Sequence, residues 1–288
     1  MNTILGLVVV FVMVFGGYML AGGKFGIIIK ALPFEMMMIG GAALGTFLMA
    51  NSMHDVKHTL AGFGKILKGA RFKKEDYTEL LSLLYYFVRL AQTKGAMALE
   101  PHIERPDESP AFSKFPKIQK DHHATDLICD YLRMIGMNAD DPHQIEDSMA
   151  RELKKLKEEE MHPSHAMQST ADALPALGIV AAVLGVIKTM ASIDSPPSVL
   201  GGMIGGALVG TFLGIFLAYG MMGPFASRLK GVVEEEAAYY EVIRAVLVAH
   251  LHGNAPQVAV ETGRKVAPSF LMPSFAETEA ALQELSIT

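Results

Sequence analysis

Residues 173–193 read ALPALGIVAAVLGVIKTMASI, an apolar run whose only charge is Lys188. As a helix it would extend about 31 Å, the thickness of a bilayer's hydrocarbon core. Residues 200–222, LGGMIGGALVGTFLGIFLAYGMM, carry no charge at all. The link 194–199, DSPPSV, is short, so the two runs read as a membrane hairpin. Lys188 near an end can snorkel to the interface, where the cost of a buried ammonium is avoided.

Moving outward, a second pair precedes them. Residues 4–21 are ILGLVVVFVMVFGGYMLA, without charge. A signal peptide would need a basic leader, and Met1-Asn2-Thr3 has none, so an uncleaved span is expected. Residues 34–53, FEMMMIGGAALGTFLMANSM, hold one charge, Glu35. At the end of a span, an interfacial carboxylate costs little. The other end-of-span carboxylates are Asp172 and Asp194, so no carboxylate is expected at mid-span.

The whole chain of 288 residues is 51% hydrophobic and only 19% charged, with mean hydropathy +0.30. A soluble domain carries about 25% charged residues. The deficit is concentrated in the apolar runs, which excludes a disordered chain and an ordinary soluble enzyme. The single cysteine, Cys129, excludes an internal disulfide. Net charge −5 leaves no basic footprint for nucleic acid.

Charge also orients the chain. Between 54 and 173 lie 17 of the 25 basic residues, and the tail 223–288 holds five more. The positive-inside rule places both regions, and both termini, in the cytoplasm. The expected fold is all-α: a polytopic membrane protein with four transmembrane helices and a helical cytoplasmic domain. Its expected organisation is 1–53 for the first two spans, 54–172 for the cytoplasmic domain, 173–222 for the last two spans and 223–288 for a helical tail. Helical periodicity in YTELLSLLYYFVRLA at 77–91, and again at 121–134, 142–159 and 224–250, supports the soluble helices. Pro101, Pro106, Pro110 and Pro116 interrupt the region between.

Chemistry is sparse. No nucleotide-binding loop, nucleophile elbow or zinc-type cysteine pair is present, so neither an enzyme nor a cofactor is expected. His122-His123 and His162-Pro-Ser-His165 lack partners at metal-ligand spacing, and no metal site is expected. Gly206, Gly210 and Gly214 recur every fourth residue, and Gly178, Ala182 and Gly185 do similar work in the third span. Such stripes let helices approach closely, within one subunit or between chains. Thr211 lies mid-span, where its hydroxyl either bonds its own helix or meets an ion path. Tyr219 reads as an interface anchor. Pro175 is expected in the first turn of the third span, where proline is tolerated, and Pro224 just beyond the fourth. An ion path needs an ionisable group at membrane depth. If this chain moves ions, that group is expected from another chain.

The stretches DALPALGIVAAVLGVIKTM at 172–190 and VGTFLGIFLAYGMMGP at 209–224 resemble the MotA family of flagellar stator subunits, within the MotA/TolQ/ExbB proton channels. GAMALEPHIE at 95–104 is similar to that family's rotor-facing motif. The resemblance covers nearly the whole chain. It implies a pentamer around two copies of MotB, a single-span peptidoglycan-anchored subunit that supplies a membrane aspartate. It also implies the bacterial inner membrane and a rotor partner, FliG. Pro175 and Pro224 match the prolines thought to couple ion passage to movement. Thr211 and Tyr219 match the pore-facing threonine and the tyrosine after it. Glu100 matches the acidic member of the rotor-facing charged pair. The basic member is replaced by Gln92, with Lys94 and Arg89 nearby. Ala182 stands where sodium-driven relatives carry threonine, which implies protons. The ExbB/TolQ-like motor subunits are a rival reading but have three spans. A non-energised scaffold would explain the small-residue stripes alone.

Overall fold

The computed structural model describes residues 2–137 and 142–285. In chain order the helices are α1 (Asn2–Phe11), α2 (Gly17–Leu20), α3 (Phe25–Ala50), α4 (Met53–Lys68), α5 (Lys74–Lys94), α6 (Glu100–Ile103), α7 (Pro110–Ser113), α8 (Pro116–Gln119) and α9 (His122–Gly136). They continue with α10 (Pro142–Met190), α11 (Pro197–Leu217), α12 (Gly223–Leu251), α13 (Pro256–Val266) and α14 (Phe275–Glu284). Short π-helical turns at Val12–Gly16 and Ala218–Met222 join α1 to α2 and α11 to α12. Among the described residues there is no strand. Four helices are long and apolar enough to cross a membrane: Thr3–Leu20, Phe25–Ala50, Pro142–Met190 and Pro197–Leu251. The all-α, four-span fold is the one expected.

The chain divides into two compact units: Met1–Gly69 with Glu160–Val232, and Ala70–Glu159 with Val233–Thr288. The first unit contains every apolar span. Gly22, at φ +82°, turns the chain after α2 at a backbone geometry that side chains resist. The second span then starts at Phe25, nine residues before the expected start, so that Lys30, Pro33 and Glu35 lie inside α3. Lys24 caps it in extended conformation, and the helix runs through Pro33 without ending there.

The third span differs as well. It has no first turn at residue 173, because α10 enters it unbroken from Pro142. Pro175 therefore sits in a helix interior, as does Pro163. An interior proline withholds one N–H from the helix ladder, which leaves the carbonyl four residues back, at Ala171, without that donor.

The second unit is a helical bundle with its own apolar core. Tyr77, Leu80, Leu81, Leu84, Phe87 and Val88 recur along one face of α5 and are fully buried. They pack in one cluster with Ile128 and Leu132 of α9, Met149 of α10, and Val242, Ile243 and Val246 of α12. Phe72 stacks on Tyr239 at 3.7 Å between centroids. The guanidinium of Arg71 lies 3.2 Å from Glu236 and donates to the Tyr240 hydroxyl at 3.1 Å. The prolines expected to interrupt 101–116 do more than that. Pro101, Pro110 and Pro116 open α6, α7 and α8, where the missing N–H costs nothing because the first turn leaves it unbonded anyway.

Candidate functional site

The third and fourth spans meet through glycine. A Cβ on Gly178 would stand 2.9 Å from the Gly210 carbonyl oxygen and 3.1 Å from Gly214 Cα. One on Gly214 would stand 2.6 Å from the Leu174 carbonyl oxygen. One on Gly185 would stand 2.6 Å from Ala207 Cβ. These positions bring the two backbones together within this subunit. Gly201 and Gly202 are different: nothing lies within 4 Å of a Cβ there. The stripe thus splits into an internal contact and an open end.

Thr211 and Ala182 flank that contact. Gly210 and Ala181 are inside it, and a Cβ on Gly210 would touch Ala181 Cβ at 3.3 Å. Thr211 and Ala182 are the next residue in each helix, and both are half-buried. Thr170 and Thr189 bond the carbonyls of Ala166 and Gly185 one turn back, each at 2.9 Å. Among the described residues no such bond is made by the Thr211 hydroxyl. The neighbouring Phe212 and Phe216 pack on Phe15, and Phe216 on Phe11, which fastens the first span to the fourth.

Tyr219 is apart from this contact. It lies in the π-helical turn about 12 Å further along the helix and is 69% exposed. The turn has a visible cause in its hydrogen bonds. The Gly223 N–H reaches back five residues to the Ala218 carbonyl, and Pro224, next in line, offers no N–H.

One residue contradicts the expected absence of a mid-span carboxylate. Glu35 does not sit at a helix end. It lies ten residues into α3 and is 5% exposed. Its Oε2 has no hydrogen-bond partner, and a Cβ on Gly210 would be 2.5 Å from it. The signal was present in spacing: Glu35, Ile39 and Ala43 are the buried residues of α3, each four apart, on one face. The charge had argued for an interface; the face decides for a contact.

In the soluble unit, Arg89 and Lys94 are exposed on the last turns of α5, and Glu100 is exposed at the start of α6. Gly95, at φ +81°, ends α5 between them. Arg89 lies over the Tyr85 ring at 5.9 Å. Among the described residues Lys94 and Glu100 make no ion pair. Glu104, one turn on, is held by Arg133 at 2.8 Å. His102 anchors the same short helix: its Nδ1 lies 2.8 Å from Ser109 Oγ, and burial lowers the imidazole pKa.

Among the described residues, neither histidine pair read from sequence belongs to a cluster at metal-ligand spacing. His162 faces Asp55 at 3.7 Å. Among the described residues, His143, Glu146 and His252 lie within metal-ligand spacing, but Arg244 also approaches Glu146, at 3.7 Å.

The motility protein A N-terminal family matches residues 4–95, and the MotA/TolQ/ExbB proton channel family matches 119–242. Motility protein A of Salmonella typhimurium is 39% identical over 97% of this chain and 94% of its own length. Motility protein A of Escherichia coli is 38% identical over the same shares. Chemotaxis protein LafT of Vibrio parahaemolyticus is 36% identical over 99% of both chains. Among solved structures, C. jejuni MotAB has TM-score 0.73 at 20% identity, covering 93% of this chain and 96% of that one. The Bacillus subtilis MotAB stator complex has TM-score 0.70 at 24% identity, covering 90% and 92%. Four spans in two pairs, a helical soluble unit and near-complete identity-bearing coverage agree: the chain belongs to the motility protein A family, the multi-pass membrane stator subunits of the flagellar motor within the MotA/TolQ/ExbB proton channels.

Proposed function

We propose that this stator subunit carries protons past Thr211 and delivers the resulting torque to the rotor protein FliG through the face that bears Glu100. The observation that carries the reading is the α10–α11 contact. Thr211 and Ala182 each follow a residue of that contact, and the Thr211 hydroxyl is not spent on its own helix. Ala182 contributes a methyl group, which cannot replace a water on Na⁺, so the path favours protons. Tyr219, exposed in the π-helical turn, is oriented for lipid headgroups or a partner chain.

The MotAB structures this fold resembles are complexes, which supports a MotB-like single-span partner for this chain. We assign two copies of that partner inside a homopentamer, with its membrane aspartate as the titrating group. Each proton crossing inward supplies about 2.3 kcal/mol per 100 mV. Both termini and the soluble unit lie on the cytoplasmic side of the inner membrane, in line with the basic residues flanking the spans. Pro175 interrupts the backbone ladder of α10 and Pro224 stands in the first turn of α12, and these are the points where the helices bend during a cycle.

The deciding experiment is Thr211→Leu in cells that express the subunit with its partner. Swimming should stop while fluorescently tagged stators still collect at motors. Normal swimming speed would remove Thr211 from the path.

A further inference from the structure

We infer that Glu35 is a second proton-handling carboxylate of the stator, supplied by this chain. The inference rests on the stator reading above and deepens it. A carboxyl group 95% buried (5% exposed) with an oxygen that no protein atom satisfies is a poor packing element. A leucine or methionine at this position would fill the contact with no orphan oxygen. The oxygen is also aimed: it points at Gly210, the one residue before Thr211, where the absent side chain leaves it room.

On its other side Glu35 borders a cavity of about 770 Å³ among α3, the end of α10 and the start of α11. Along α3 the cavity reaches from Lys24 to Met38, about 21 Å. Glu35 therefore stands between this cavity and the Gly210–Thr211 stretch. Charged groups facing it are Lys24 and Lys30 from α3 and its cap, and Lys188 from α10. The α11 helix contributes none, since Pro197–Leu217 holds no charged residue.

The step balances simply. A hydronium formed transiently in the cavity gives a proton to the Glu35 carboxylate on its cavity side: one O–H bond breaks, one forms, and water remains. Rotation of the carboxyl turns that proton toward Gly210, where a water on the Thr211 side takes it and becomes hydronium, and Glu35 returns to carboxylate. Three ammonium groups repel any cation that rests in the cavity, Na⁺ and hydronium alike. A proton passed along water need not rest there.

The test compares Glu35→Gln, Glu35→Asp and wild type in cells that hold the subunit with its partner. Proton entry is read by cytoplasmic acidification and stator assembly by tagged foci at motors. Gln keeps the shape and loses the proton site. The expected result is a fall in proton entry of at least tenfold with foci unchanged, and recovery to within about threefold in Glu35→Asp. Equal proton entry in Glu35→Gln and wild type overturns the inference. Should foci be lost in Glu35→Gln, the same comparison per complex in reconstituted vesicles decides it by the same criterion. A wild-type complex that conducts no protons would instead overturn the stator reading itself.

Discussion

Replacing Gly214 with alanine tests the close contact on which the proposed path depends. The new methyl carbon would stand 2.6 Å from the Leu174 carbonyl oxygen and 2.9 Å from Gly178 Cα. Neither neighbour is a flexible side-chain tip; both are backbone. Ordinary contact begins near 3.4 Å, so the helices must separate by about 0.5–0.8 Å along the whole seam from Gly178 to Gly214. Overpacking of this kind costs about 1–3 kcal/mol. The gain in helix propensity from glycine to alanine returns roughly 1 kcal/mol. The net loss is about 0–2 kcal/mol, up to roughly thirtyfold in the population of the closed contact. Thermal unfolding of the purified subunit in detergent should show a lower midpoint for Gly214→Ala, and swimming speed should fall. Gly202→Ala supplies the control, because nothing lies within 4 Å of a Cβ there. It should leave the midpoint unchanged or raise it slightly. Equal behaviour of the two variants would refute the claim that the glycine seam is an internal contact.

Other outcomes follow from the same structure. Charge reversal at Glu100 should impair swimming and be partly rescued by compensating charge changes in the rotor protein; no effect, even combined with changes at Lys94 and Arg89, would remove this face from the rotor contact. Swimming speed should collapse with a protonophore and ignore replacement of sodium by potassium, and sodium dependence would sink the reasoning from Ala182. The soluble unit should lose stability as pH falls below about 6.5. Burial holds the His102 and His250 pKa values below the ordinary one, so the unfolded chain takes up protons first on acidification. Their contribution is complete above about pH 6.5 and is lost on descent toward the folded-state values. Substituting both with glutamine should flatten the midpoint's dependence on pH between about 6.5 and 5.

Much was legible before any coordinates. The four spans follow from where charge is missing, because each charge placed in lipid carries a large cost and each stretch of about 20 apolar residues is long enough to cross. The helices of the second unit follow from apolar spacing, although α5 is buried on every side, from Leu80 to Tyr85 without a gap. Helix ends were less legible. The second span starts at Phe25 and the third has no separate start, since neither Lys30 nor the polar stretch before Ala173 carries a signal that stops a helix. Pro175 is interior for that reason: the chain makes no helix start at residue 173.

Composition and period by themselves determined that this is a membrane protein with paired spans and a charged helical part, because transfer free energy depends on a residue's own chemistry. They could not determine which residues oppose each other across helices. Gly178 against Gly214, Phe15 against Phe216 and Glu35 against Gly210 are separated by 36 to more than 200 positions, and only packing brings each pair together. The same carboxylate looked harmless at a span's end and proved to be an unpartnered group in a helix contact. What a side chain costs can be read from its identity; what it can do depends on its neighbours, and those are chosen by the tertiary structure.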